Sequence, residues 1–393
     1  MYKKSTLYSI LIALFLALSG CGGTSNVIPP AKLIKFKPLV IVKESWSKGV
    51  GDGEDGEYLS FSPVLRNGIL YTAGYNGEVT AVNSRNGKEI WSSDLDLKLS
   101  STPLVTDEHV YVGSMFGKLA KLDINTGKLD KLNNSEKDWI INVPSSVFSA
   151  PVFYEGSIVL NTLNGEVSAY DSSTGKLKWS QVVGTPPLML TGNSSPIISN
   201  SGKRVYIGMD NGELWALNLE TGNKLWDIPI AIPEGGSDIS RMVDIVGTPI
   251  EENGIIYVAS YQGNVAAINS ENGAIIWKKK MSTYGSIAIS YDTIYITNSE
   301  SYVIALDKSN GSMKWQQKIL EGRGVTAPVV VHDYITVSDF EGYMHFFKQT
   351  TGKYSARIKI GGDGISSQAI SNGNIAYVQT NNGTLAAVRI NIH

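Results

Sequence analysis

The chain is poor in the residues that most often carry chemistry. It has one cysteine and four histidines in 393 residues. A single cysteine excludes an intramolecular disulfide and any Cys-rich zinc or iron–sulfur site. His109, His332 and His345 are scattered and the fourth histidine is the C-terminal His393, so no histidine metal cluster is expected. Charge is also scarce, at 18% of residues, and nearly balanced, with 34 basic against 36 acidic side chains. No basic field points to nucleic acid. With 42% hydrophobic residues the chain still has material for a sizeable core and is not a disordered polyanion. Long apolar runs are missing apart from residues 7–18, and that run is too short for a membrane span of about 20 residues. No Ser-His-Asp set, metal-ligand spacing or phosphate loop stands out. The glycine-rich stretch at 49–57 (GVGDGEDGE) is followed by no helical pattern, so it is not a nucleotide loop. Glycine is what the chain has in abundance, with 40 residues, and glycine at that density means turns.

The N-terminus carries an address. Lys3 and Lys4 precede the apolar run, the pattern of a secretory signal. The run ends Leu18-Ser19-Gly20-Cys21, which resembles the lipobox of bacterial lipoproteins. That resemblance implies cleavage after residue 20 and lipid on the Cys21 thiol. The plainer alternative is a free cysteine at the end of a signal peptide. Several acyl chains on one residue anchor stably where one is marginal. Gly22, where an aspartate would retain a lipoprotein at the inner membrane, favours the outer membrane by analogy. Residues 1–20 are therefore expected to be signal peptide and 21–40, with three prolines and little periodicity, a tether.

The rest is repetitive. Turn positions recur ten residues apart at Gly77/Gly87, Gly117/Gly127, Gly165/Gly175, Gly212/Gly222, Gly263/Gly273, Ser301/Gly311 and Gly342/Gly352, and an eighth repeat has Gly383. Between the paired turns lie alternating segments such as EVTAVN and ELWALN, and before them strands such as ILYTAG and RVYIGM. Each unit is about forty residues, the size of a propeller blade. A tryptophan follows the second turn at Trp91, Trp179, Trp226, Trp277 and Trp315. Trp139 takes the same part after an insertion, and repeat seven has Ala356 there. Recurrence suits packing against the neighbouring blade rather than a cofactor box. Repeat eight has three strands, and residues 41–49 with Trp46 supply its fourth. The expected fold is all-β: one eight-bladed propeller of four-stranded antiparallel blades over 41–393, closed by the N-terminal strand. Asp123, Asp171 and Asp307 share a repeated position with Asn83, Asn218 and Asn269, which reads as Asx turns rather than catalytic carboxylates.

Segments such as AVNSRNGKEIW and ALNLETGNKLW resemble the propeller repeat of quinoprotein alcohol dehydrogenases, which bind pyrroloquinoline quinone and calcium. The chain has no adjacent cysteine pair and no long insertions, so that activity is not expected, and no cofactor is. Lipobox, tether, eight repeats and N-terminal closure together resemble the BamB family, propeller lipoproteins of the outer-membrane β-barrel assembly complex. PPLMLTGNSSP at 186–196 and GSDISRMVDIVGTP at 236–249 resemble two loops of that family. The resemblance implies a non-enzymatic scaffold on the periplasmic side of the outer membrane. It would bind the POTRA domains of the barrel-insertion subunit, assist insertion of β-barrel proteins and meet their unfolded chains. It would touch the membrane through its lipid alone. The alternatives are a periplasmic quinoprotein-like dehydrogenase or a scaffold for another envelope pathway.

Spacing points to the same loops. Most repeats open on a proline, at Pro63, Pro103, Pro151, Pro196, Pro249 and Pro328, with Ile287 at that position in the sixth. From each tryptophan to the next such position is 10 to 13 residues in most repeats, but 17 after Trp179 and 23 after Trp226. Long neighbouring loops on a rigid ring are where function concentrates. The candidate partner-binding residues are Leu188, Met189, Leu190 and Thr191 in the first loop and Asp238, Arg241, Met242 and Asp244 in the second. At least one of the three apolar residues at 188–190 is expected to be exposed. Arg241 and its aspartates either meet a partner or pair locally to hold the loop. Thr191 and Val246 stand where the related loops carry Arg and Asp, one charge of each sign, which implies a less polar or weaker contact.

Overall fold

A strand of alternating residues that is apolar on both sides needs a neighbour on each face. Every repeat meets that need in the same way. In the computed structural model, which describes residues 29–132, 135–186, 188–190 and 192–391, the chain forms eight four-stranded antiparallel sheets. Blades one to seven use consecutive strands, as in blade one with Val64–Arg66, Ile69–Ala73, Glu78–Asn83 and Glu89–Asp94. Blade eight takes its outer strand from the N-terminus, where Ile41–Gly49 pairs antiparallel with Thr384–Asn391. The ring closes as the repeat arithmetic predicts, and closure leaves no open sheet edge between first and last blade.

Among the described residues there is no single core. The buried residues form eight clusters, one between each pair of neighbouring blades. The period of two feeds both sides: in blade one, Leu70 and Val82 join the cluster toward blade eight while Tyr71 and Ala81 join that toward blade two.

One contact recurs across the interfaces. In six of the eight blades the tryptophan of the outer strand lies on the second turn glycine of the next blade. A methyl group added at Gly87 would sit 2.5 Å from the Trp46 ring, and one at Gly273 would sit 2.9 Å from Trp226. These glycines also hold positive φ, +68° at Gly87 and +72° at Gly273, so the site demands glycine on two counts. The indole N–H then donates to a carbonyl of the same turn: Trp46 to Ser84, Trp91 to Ile124, Trp179 to Leu219, Trp277 to Lys308 and Trp315 to Gln349. Trp139 does likewise to Ser173, but after the insertion before it Ile141 takes the place on Gly175, 2.5 Å from a methyl added there, and the indole stands 3.6 Å away. Trp226 is the exception. Its N–H is buried and unpartnered, because Tyr206 and Arg204 already donate to the Ser270 carbonyl.

The repeated Asx position behaves as a turn. Asp123 Oδ1 accepts from the amides of Asn125 and Thr126, and Asn218 Oδ1 from those of Glu220 and Thr221. The Ser173 and Thr174 donors hold the Asp171 carboxyl well below the usual range. The outer strands are protected edges. Seven of the eight carry a bulge, which twists an exposed strand away from edge-to-edge pairing. The predicted signal peptide and Cys21 lie outside the described residues. The described part of the predicted tether, 29–40, runs against blades six and seven: Leu33 packs on the cluster between them and the Leu39 amide donates to the Ser355 carbonyl.

If the indole–glycine contact holds the ring together, truncating one indole should be costly. Trp91→Ala is expected to lower unfolding free energy by about 3–5 kcal/mol, read from urea denaturation. Ile90→Ala, next to it but exposed, should stay within ~0.5 kcal/mol of the native chain. Equal effects would mean that the contact is incidental.

Candidate partner-binding face

In each blade the connection from the outer strand to the next inner strand emerges on the same face as the hairpin between the second and third strands. The connections of blades three to four (183–196) and four to five (230–249) are the long ones and stand side by side. They meet at the mouth of a central cavity of about 640 Å³. Serines, threonines, asparagines and glycines dominate its wall, including Ser60, Ser100, Thr102, Asn193 and Ser286, and among the described residues none that lines it is charged. Some of these hydroxyls join neighbouring blades, as when the Ser62 amide donates to Thr102 Oγ1.

The two loops are tied together. The Leu190 amide donates to Asp244 Oδ2 at 3.2 Å, and the Ser194 hydroxyl donates to the Gly247 carbonyl at 3.1 Å. The Asp244 carbonyl accepts from the Tyr261 amide at 2.7 Å, which ties the second loop to blade five. Residues Asp238–Arg241 form one helical turn, capped reciprocally by Ser237 and Ser240. Gln262 Nε2 holds the far side of this turn by donating to the Ile239 carbonyl.

The candidate residues separate into two kinds. Leu188 is 40% exposed, while Met189 and Leu190 are half-buried, so the expectation of an exposed residue in this run holds. Asp238 and Arg241 are exposed and Met242 is half-buried. The alternative of a local Arg–Asp pair does not occur: among the described residues, Arg241 forms no ion pair. Asp244 is fully buried. It stands behind the surface and positions the Leu190 backbone rather than presenting a rim charge. Thr191 lies outside the described residues. Ile232 and Ile239, 60% and 69% exposed, were not singled out from sequence. Their only signal was membership of the longest loop. Together with Leu188 they put three large apolar side chains on the two loops, beside the free charge of Arg241.

Beneath this surface sits an acidic pair with no sequence signature. Asp210 is buried and accepts from Asn193 Nδ2 at 3.2 Å. Burial raises its carboxyl to about 6. Asp244 is pushed up to about 8, by burial first and by the nearby Asp210 second, against the opposing Leu190 and Ile245 amides. Among the described residues, no group of three or more His, Cys, Asp or Glu is placed to hold a metal ion.

This architecture defines the class: an eight-bladed propeller of the quinoprotein type, with a polar uncharged lumen and two long loops on one face. Solved structures of that class match it. The crystal structure of BamB from Moraxella catarrhalis has a TM-score of 0.79 at 21% identity, covering 89% of this chain and 100% of that one. Quinohemoprotein alcohol dehydrogenase from Comamonas testosteroni has a TM-score of 0.69 at 14% identity, covering 88% and 76%. At these identities the likeness is one of fold. Sequence separates the two. The family model for outer membrane protein assembly factor BamB matches residues 43–130 and 75–317. The outer membrane protein assembly factor BamB of Alteromonas naphthalenivorans is 32% identical over 406 residues, covering 96% of this chain and 95% of that one. The chain belongs to the BamB family of outer membrane protein assembly factors. Membership places it with assembly factors rather than with the dehydrogenases that share the propeller.

The acidic pair generates a pH dependence. An unfolded aspartate ionises near pH 4, whereas the folded pair keeps protons to about 6 and about 8. The folded state therefore binds more protons across that window. Stability falls as pH rises through it and levels off above the upper value. Asp244→Asn removes the larger contribution. Relative to the native chain, its urea midpoint is expected to rise between about pH 5 and about pH 8.5. A difference that is flat with pH would show that the pair does not titrate in this way.

Proposed function

We propose that the protein is a non-enzymatic scaffold of the outer-membrane protein assembly machinery, held at the periplasmic side of the outer membrane by lipid on Cys21. It consists of signal peptide 1–20, anchored N-terminal segment 21–40 and a single propeller domain from 41. It engages the barrel-insertion subunit, through that subunit's POTRA domains, with the loops at 183–196 and 230–249. One observation carries this reading. Two long neighbouring loops, cross-tied by Asp244 and the Leu190 amide, present Leu188, Ile232, Ile239 and Arg241 on a single face. Exposed apolar side chains on a rigid base, with a charge at their rim, suit protein recognition.

Leu188, Met189, Met242, Asp238 and Arg241 form the contact surface in this reading, with Leu190 and Thr191 continuing the first loop. Asp244 acts through the loops it joins. The propeller is then a rigid platform, and its partner is recognised by loops rather than by the lumen.

The test is co-purification from detergent-solubilised membranes. The double variant Leu188→Glu with Ile239→Glu is expected to reduce recovery of the barrel-insertion subunit by about tenfold or more, and Arg241→Glu to reduce it to a lesser degree. Leu225→Glu, on the outer strand of blade four and 47% exposed, should leave recovery unchanged. Far-ultraviolet circular dichroism checks that each variant folds. Full recovery with the folded double variant would place the interface elsewhere.

A further inference from the structure

The segment before the first strand is bound along its length. The Ala31 amide donates to the Glu321 carbonyl at 2.8 Å, and Arg323 Nη1 donates to the Ala31 carbonyl at 3.0 Å. Leu33 packs on the core between blades six and seven. The Phe36 ring centroid lies 4.4 Å from that of Tyr354, with the Arg357 guanidinium 5.8 Å from the Phe36 ring centroid. The Leu39 amide donates to the Ser355 carbonyl at 2.8 Å, and Val40 is buried in the core between blades seven and eight.

Direction follows from these partners. Glu321 and Arg323 lie in the connection from blade six to blade seven, on the face that bears the partner loops. Ser355 follows the hairpin after Lys348 and lies at the opposite end of blade seven. The segment thus crosses the outer strand of blade seven from one face of the ring to the other. It does so on the blade whose outer strand has Ala356 in place of tryptophan.

A buried polar chain sets its position. Arg323 is 3% exposed and its Nε donates to Asp339 Oδ2 at 2.7 Å, while Nη2 also meets Glu341. His345 is fully buried, with Nε2 at 2.9 Å from the same Asp339 oxygen and Nδ1 at 2.9 Å from the Tyr354 hydroxyl. Arg323 holds the Ala31 carbonyl and Tyr354 carries the Phe36 ring. One fully satisfied buried network therefore grips the segment at two points, and such networks specify a single arrangement.

We infer that residues 31–40 are a docked strap that brings the anchor-bearing end of the chain out on the loop face and turns that face toward the bilayer. The inference rests on the reading of Cys21 as the lipid-bearing residue. Pro30, where the strap begins, is exposed. Eight residues lie between it and Cys21, and the nine steps of chain reach at most about 30 Å. The exit is a quarter of the eight-bladed ring from the second partner loop, by blade count. A partner bound to those loops is then engaged between the propeller and the membrane, or beside it, and not on the far side.

The experiment uses the lipidated full chain in vesicles that contain a headgroup-labelled acceptor lipid. A donor fluorophore is placed at Ile232→Cys on the loop face or at Tyr291→Cys, 91% exposed on the opposite face. Energy transfer is expected to be about twofold or more higher from position 232, given the ~20 Å of strand between the faces. In the strap variant Leu33→Asp with Phe36→Glu, whose residues lie outside the blades, the difference should collapse. Equal or reversed transfer in the native chain would overturn the inference, as would a difference that survives in the strap variant. Two further readings keep its failure apart from that of the anchor. Intact mass shows whether Cys21 carries acyl chains, and without them the orientation falls with the anchor reading. Hydrogen exchange of the Leu39 amide in detergent is expected to be slow, and fast exchange would overturn the strap whether or not the chain is lipidated.

Discussion

An indole ring lying on a bare glycine is the contact on which this ring of sheets depends. Each blade is a small antiparallel sheet with two apolar faces, and alone it would leave both in water. The tryptophan of one outer strand and the turn glycine of the next blade join neighbours where their sheets splay apart. Only a residue without Cβ lets the ring approach, and only a turn with positive φ puts it there. The indole N–H then takes up a carbonyl of that turn, so the polar edge of a large apolar group is satisfied as it is buried. Trp46, on the N-terminal strand that completes blade eight, makes the same contact with Gly87 of blade one, and that is how the last blade meets the first.

A structure held by eight interfaces rather than one core has consequences for function. The strands are committed to packing on both sides, and the lumen is lined by small polar groups that join blade to blade. Variation is left to the connections. Two of them are long, and both are anchored from beneath. Asp244 shows how: a carboxyl buried beside Asp210 gives up solvation to hold the Leu190 amide. The exposed side chains of the two loops therefore sit on a braced surface. The Arg323–Asp339–His345–Tyr354 network does comparable work for the N-terminal segment on blade seven.

Much of this was legible in particular residues. Ten-residue spacing between turn glycines marked the blades, and Trp46 in a stretch with no repeat of its own marked the closing strand. The shared Asp/Asn position was a turn because one chemistry explained all its members. The loops were found by counting from tryptophan to proline. Within them legibility ended. Leu188, Ile232 and Ile239 are apolar residues among others, and nothing local says that these are exposed while Val243 and Ile245 are not. Asp244 looked like a rim charge because aspartates usually are one.

Periodicity and turn chemistry are local properties, so the sequence alone determined the blade, the number of blades, the closing strand and which connections are long. Burial is a property of what comes to lie alongside. Asp210 and Asp244 are separated by a whole strand pair and an outer loop, and they become one acidic pair only when blades four and five stand next to each other. Residues 31–40 carry no period, and read alone they are a tether. Against blade seven they meet a buried arginine, a tyrosine ring and an edge without its tryptophan, and those partners lie some three hundred residues further along the chain. Contacts at that separation are written by the ring and not by the segment, which is why only the tertiary structure decided them.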